Sequence, residues 1–351
     1  MGKCIGQNRL IYSPLTGARQ RVGDLYEAHK RGEEVWVASL GPDLTMKPAK
    51  VMAIQSNGRK RIYRMTTRLG RQLEATSNHP VLTAAGWEEL GKVRPGGRIA
   101  VPRRLPRPSK TTELADHEIV MLGALIADGA LGGRTPRFCF GKESGVLGEV
   151  EAAASAYGVR VGQGSARGHG TATISGGRGS GPNPVTAMLK SHGLMGLRSA
   201  EKFVPDAIFG LDDKQLARFL AVMYACDGHV YCSERLAQVG YTTISERLAH
   251  DVQHLLLRLG IVATIRTLKR QVYEGTDKVA REIRITSQAG LRRFCELISV
   301  PGKEDRQEQV LERLDAAPRS TNTDTVPPEI WEDILLAKGD RRWANVSEVT
   351  G

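Results

Sequence analysis

The chain has 351 residues, 40% of them hydrophobic, which is ordinary for soluble globular folds and enough for two or three domains with sizeable cores. Lys and Arg number 50 against 38 Asp and Glu, a net charge of +12 that favours an anionic partner such as nucleic acid. The absence of a long apolar run or signal-like start, and five cysteines without compact spacing, argue against a membrane span, a disulfide framework and a structural zinc site, so a cytoplasmic protein is expected.

Residues 1–102 read as mainly β. Short runs such as Glu34-Val-Trp-Val-Ala, Ala49-Lys-Val-Met-Ala-Ile, Arg61-Ile-Tyr-Arg-Met-Thr and Gly97-Arg-Ile-Ala-Val are separated by turns. Two features stand out: Cys4, and Thr76-Ser-Asn-His79-Pro80. Each has a plain explanation, since a lone cysteine is usually a bystander and Asn-His-Pro makes a turn. Residues 103–112 are Pro-rich and basic, and read as a linker.

The stretch Met121-Leu-Gly-Ala-Leu-Ile-Ala-Asp128-Gly129 then returns as Leu220-Ala-Val-Met-Tyr-Ala-Cys-Asp227-Gly228. Each is an apolar run ended by Asp-Gly, the pattern of a buried helix stopped by a Gly C-cap. A carboxylate opposes the negative end of the helix dipole, so a compensating cation is expected beside it. One copy alone is most often a core helix leading into a turn. The segments after the two motifs repeat as well. Helical runs end at Gly158 and Gly260, strand-like segments come next at Ala172-Thr-Ile-Ser and Glu282-Ile-Arg-Ile-Thr, and short helices come after them over Pro184–His192 and Leu291–Ile298.

Residues 113–313 therefore hold two copies of one unit, 113–200 and 214–313. Such copies pack about a pseudo-twofold axis through their most apolar helices. Gly123, Ala127, Ala221 and Ala225 allow a close approach, and Asp128 and Asp227 then emerge side by side. Adjacent carboxylates invite divalent metal, a geometry suited to phosphodiester hydrolysis. Arg134 and Arg137 in the first copy, and Arg266, Lys269 and Arg270 in the second, are candidates to track phosphates, with solvation as the default for any one of them. Residues 314–327 read as a second linker and 328–351 as a helical segment, with a helix over Pro328–Lys338.

On the two motifs with their terminal acids, the segment Leu114 to Arg313 resembles LAGLIDADG homing endonucleases. On Cys4, Thr76-Ser-Asn-His79 and Gly96-Gly-Arg-Ile-Ala-Val-Pro102, the segment Cys4 to Arg103 resembles the N-terminal splicing blocks of inteins. The resemblance implies a multidomain chain: a mainly-β Hint-type splicing domain plus an α+β LAGLIDADG domain of two pseudo-symmetric αββαββα repeats. It implies sheets lying in the DNA major groove and Mg²⁺-dependent double-strand cleavage at the intein-less insertion site. Asp128 and Asp227 would hold the metal. Lys202, in Leu197-Arg-Ser-Ala-Glu-Lys-Phe-Val-Pro205, would be a catalytic lysine, and Lys303, in Pro301-Gly-Lys-Glu, occupies a comparable place. In the splicing domain Cys4 would attack the Lys3–Cys4 carbonyl, with His79 protonating the departing nitrogen and Thr76 holding the site.

The second motif is similar in style to inteins of bacterial replicative DNA helicases. Gly2-Lys3, matching the end of a phosphate-binding loop, adds the expectation of a P-loop ATPase as host. The His-Asn pair of an intein's C-terminal block is absent from Ala344-Asn-Val-Ser-Glu-Val-Thr-Gly351, so full splicing is not expected from this chain alone. Two motifs in one chain imply a monomer acting on double-stranded DNA. The alternative is a DNA- or RNA-binding regulator or maturase with an inactive LAGLIDADG saddle.

Overall fold

The computed structural model describes residues 3–140, 145–166, 169–176, 182–271, 277–317 and 330–341, with backbone only at Ala166, His169, Lys269, Arg270, Gln271, Asp277, Lys278 and Glu332. The first region is built of short antiparallel strand pairs. β1 (Leu10–Tyr12) pairs with β2 (Arg19–Arg21), and helix α1 (Val22–Lys30) follows. β3 (Trp36–Leu40) pairs with β4 (Met46–Lys50), β5 (Tyr63–Thr66) with β6 (Gln72–Ala75), and β7 (Pro80–Thr83) with β8 (Gly86–Glu89). Ala75, Val81 and Leu90 form a small core, with Met65, Leu73, Val93 and Ile99 packed against it.

Three details differ from expectation. The run Ala49–Ile54 is strand only as far as Lys50, with one further bond from Val51 N to Val35 O at 2.8 Å. Gly97–Val101 joins no sheet: Gly97 N closes a turn onto Arg94 O at 2.9 Å, and only Ala100 N reaches β7, at Leu82 O. Helix α1 was hidden because it buries Leu25 alone, although Asp24 in its first turn and His29 and Lys30 in its last suit the helix dipole.

The second region contains the αββαββα unit twice. The first copy is α2 (Asp116–Asp128), β9 (Gly129–Ala130), β10 (Arg137–Phe140), α3 (Val146–Ala156), β11 (Arg160–Ala166), β12 (His169–Ser175) and α4 (Pro184–Ser191). A short helix, α5 (Asp206–Phe209), links it to the second. The second copy is α6 (Asp213–Cys226), β13 (Gly228–Cys232), β14 (Ala237–Thr243), α7 (Glu246–Arg258), β15 (Thr264–Gln271), β16 (Asp277–Ile285) and α8 (Gln288–Leu297). The strand orders, β9-β10-β12-β11 and β13-β14-β16-β15, are the same, so the repeat in sequence is a repeat in topology.

Helices α2 and α6 lie together at the centre. Every residue from Ile119 to Ala127 is buried, which is why that run carries no charge. At Gly123 a methyl group would meet Val222 Cγ1 at 3.0 Å and Phe219 O at 3.3 Å, so the seam is close there because glycine allows it. In each sheet alternate residues face the helices, among them Phe138, Ile174, Val239, Tyr241 and Ile283, and leave the other face open.

The expected left-handed Gly C-caps are not what ends these helices. Gly129 has φ −78° and ψ 144°, extended backbone that begins a strand at once. Glycine is needed for room: a Cβ at Gly129 would lie 2.2 Å from Leu125 O, and one at Gly228 2.5 Å from Tyr224 O.

Beyond the second copy, helix α9 (Glu304–Ala316) runs past the expected edge at Arg313. Its buried Gln307 donates to Ile298 O at 2.7 Å and accepts from Val300 N at 2.8 Å. Helix α10 (Ile330–Lys338) is the last element among the described residues, and the expected start at Pro328 lies outside them. Residues 103–112 are docked on both regions. Leu105 is buried with Tyr12 and Leu257, Lys110 N donates to Leu15 O at 2.7 Å, and Thr112 N donates to Gly210 O at 2.8 Å. No described helix is long and apolar enough to cross a membrane.

Candidate active sites

Close packing of α2 on α6 brings Asp128 and Asp227 together at the helix ends, within hydrogen-bonding reach of each other. Burial, then repulsion by Asp227, pushes the Asp128 carboxyl far above its usual range, and hydrogen bonding between the two carboxyls adds to the rise. Burial raises Asp227 as well, partly offset by that hydrogen bond and by Lys202 and Lys303. Two like charges in a half-dry site do not ionise together without a cation.

The compensating cations are two lysines. Lys202, only 3% exposed, donates from Nζ to Ala127 O at 2.9 Å. Lys303 donates to Tyr224 O at 2.6 Å, Ala225 O at 3.1 Å and Gly228 O at 2.5 Å. Each lysine thus caps the carbonyl end of one central helix, where a positive charge is favoured. Burial lowers the pKa of both, and the two aspartates act against that shift. The Lys303 position was legible only as a Pro-Gly-Lys turn after the second copy; the structure makes it the counterpart of Lys202.

A cavity of about 470 Å³ opens over this group. Asp128, Asp227 and Lys202 line it, with Cys139 from the open face of the first sheet and Thr242 and Ala280 from that of the second. Among the described residues no cluster of three His, Cys, Asp or Glu side chains gathers. Two carboxylates with open space beyond them still fit Mg²⁺, which keeps several waters and is usually held by one or two carboxylates plus substrate phosphates.

Of the expected phosphate contacts, Arg134 stands exposed in the β9–β10 connection, Arg137 on β10 and Arg266 on β15. The side chains of Lys269 and Arg270 lie outside the described residues. The open face of the second sheet also carries a polar group that alternation alone did not single out. Gln238 and His229 meet at 3.1 Å, and the nearly buried Glu282 holds His229 at 3.7 Å and Arg284 at 3.3 Å.

The splicing residues converge separately. Cys4 N donates to Thr76 Oγ1 at 3.1 Å, and Thr76 N donates to Cys4 O at 3.0 Å. Thr76 Oγ1 also donates to Asn78 Oδ1 at 2.7 Å, and His79 N bonds Thr76 O at 3.0 Å, closing the turn. Asn57, which sequence reasoning missed, donates to Cys4 Sγ at 3.3 Å. Burial and the Lys3 ammonium hold the His79 pKa below its usual value, and its Nδ1 is buried without a hydrogen-bond partner among the described residues.

A LAGLIDADG-like domain model matches residues 214–299, the second repeat. Over 361 residues the chain is 31% identical to the replicative DNA helicase DnaB of Synechocystis sp., covering 95% of this chain and 39% of that protein. It thus spans well under half the length of that relative. A crystal structure of a DnaB intein from Synechocystis sp. PCC 6803 is 34% identical, over 29% of this chain and 70% of that one, with a TM-score of 0.26. The endonuclease I-DmoI, solved with DNA and Ca, is 13% identical over 55% of this chain and 97% of its own, with a TM-score of 0.36. The chain belongs to the inteins that carry an embedded LAGLIDADG domain, and it resembles those of bacterial replicative DNA helicases.

Proposed function

We propose that the chain cuts both strands of DNA at the uninterrupted site of its host gene, as a Mg²⁺-dependent homing endonuclease. The observation that supports this most strongly is the pair of abutting aspartates, each beside a lysine, in a cavity between two open sheet faces. Asp128 and Asp227 would hold the metal, which when bound supplies Lewis-acid polarisation of the phosphate and a more acidic water. Lys202 and Lys303 hold the helix ends in place and put positive charge beside the phosphate. Arg134, Arg137 and Arg266 would fix the duplex by its backbone, and His229, Gln238 and Arg284 offer donors and acceptors to base edges.

The host is a replicative DNA helicase on this reading. Cys4, Thr76 and His79 carry the first splicing step: the Cys4 thiol adds to the Lys3 carbonyl and gives up its proton, the Lys3–Cys4 C–N bond breaks to leave a thioester, and His79 relays that proton to the freed Cys4 amine.

Supercoiled plasmids bearing uninterrupted helicase genes test the nuclease. A discrete double-strand cut in Mg²⁺, absent in EDTA and reduced at least roughly 100-fold by Asp128→Asn or Asp227→Asn, is the expected result. Parental cutting by both variants would remove the assignment, and binding without cutting would leave a DNA-binding module. For the splicing site, a chain extended upstream of Lys3 should lose its flank to a small thiol, and Cys4→Ala should retain it.

A further inference from the structure

Lys202 sits on a three-residue segment gripped by one helix. At the N-cap of α7, Ser245 Oγ donates to Lys202 O at 2.6 Å. Arg247 lies over the Phe203 ring, 3.8 Å from its centroid. Asp251 Oδ2 accepts from Val204 N at 2.9 Å. Lys202, Phe203 and Val204 are therefore held in order by Ser245, Arg247 and Asp251.

Asp251 is fully buried, and its carboxylate needs a counter-charge to remain ionised there. That charge comes from the other region of the chain. Arg19, on β2 of the splicing domain, forms an ion pair with the Asp251 oxygen that does not hold Val204. Its guanidinium is itself fixed, lying 5.0 Å from the centroid of the Phe209 ring.

We propose that Arg19 of the splicing domain is a positioning residue for Lys202 of the nuclease site, acting through Asp251 and the Val204 amide. This rests on the nuclease reading for its catalytic consequence and on geometry alone for its structural one. Without Arg19 the buried carboxylate must gain a proton or turn towards water, and either weakens its grip on Val204. The Lys202 ammonium then leaves Ala127 O, while Lys303, on the opposite site, keeps its three carbonyls.

That contrast supplies the test. The full chain, its Arg19→Met variant and its Arg19→Lys variant are treated with an amine-acylating reagent, and the peptides carrying Lys202 and Lys303 are followed by mass spectrometry. In Arg19→Met, Lys202 should label roughly tenfold faster with Lys303 unchanged, and Arg19→Lys, which keeps the charge, should fall between that variant and the parent. On cleavable DNA, kcat should drop about 10- to 100-fold in Arg19→Met at unchanged KM. An unchanged Lys202 rate, or both lysines rising together, would overturn the proposal. Should Arg19→Met fail to fold, Arg19→Lys decides by the same criterion, a rise at Lys202 alone. Labelling needs no cleavage, so a chain that cuts no DNA would refute the nuclease reading and leave this one to be judged by labelling.

Discussion

Asp128 and Asp227 are each placed where a helix already presents negative carbonyl ends, and they face one another as well. Their folded pKa values are raised above the ordinary 3.8, so the folded state binds more protons than the unfolded chain once the pH exceeds that value. Stability contributed by the pair is therefore present in acid and lost as pH rises through the raised values. In EDTA the thermal midpoint should fall across this window, Mg²⁺ should recover the loss at its alkaline end, and Asp227→Asn should flatten the profile. A midpoint that rises with pH, or ignores Mg²⁺, would contradict the arrangement. The acids were legible because the sequence states them twice in one context. Lys303 was harder, since a lysine after Pro-Gly has no repeated run to mark it. Arg19 and Asp251 gave no signal, because their meeting joins segments more than two hundred residues apart.

At the scale of elements, the two central helices were readable because burial on every side leaves an apolar run with no polar phase. Their stops were misread. Asp-Gly suggests a left-handed cap, whereas both glycines make room for the chain to turn directly into a strand. Ala at Gly228 would press its methyl on Tyr224 O at 2.5 Å and Tyr224 Cα at 2.7 Å, backbone that cannot rotate away. Gly228→Ala should cost about 3 kcal/mol and move Asp227 next to it. At Gly123 the nearest atoms are Val222 side-chain carbons at 3.0 and 3.1 Å, and alanine's better helix propensity offsets part of the crowding. Gly123→Ala should cost about 1 kcal/mol, by chemical denaturation at constant slope. Helix α9 escaped notice because its charged sequence buries only Gln307, Val310 and Leu314, too sparse a stripe to read.

For the whole molecule, the order of a β region before a doubled helical unit, and the basic charge, could be read before any coordinates. How the two regions touch could not. Pro-rich residues 103–112 read as a spacer, but Leu105 fills a shared core with Tyr12 and Leu257, and Gln253 of α7 donates to Leu69 O at 2.7 Å. Tyr12 also packs its ring at a tilt of 53° against that of His254, which burial holds well below the ordinary histidine pKa. Regions joined through buried contacts unfold together, so heating should give one calorimetric transition, whose calorimetric and van't Hoff enthalpies agree. Two resolved transitions would mean that the docking contributes little.

The same junction closes a vulnerable border. Strand β15 is the outermost strand of the second sheet, and a bare outer strand offers its amides to any passing chain. Ile265 N is instead taken by Leu69 O at 3.1 Å, with Gly70, at φ +81°, lying flat against Ile265 where a side chain would collide. The splicing domain thus covers that end of the strand, and a nuclease domain cut away from it would leave the Ile265 amide open.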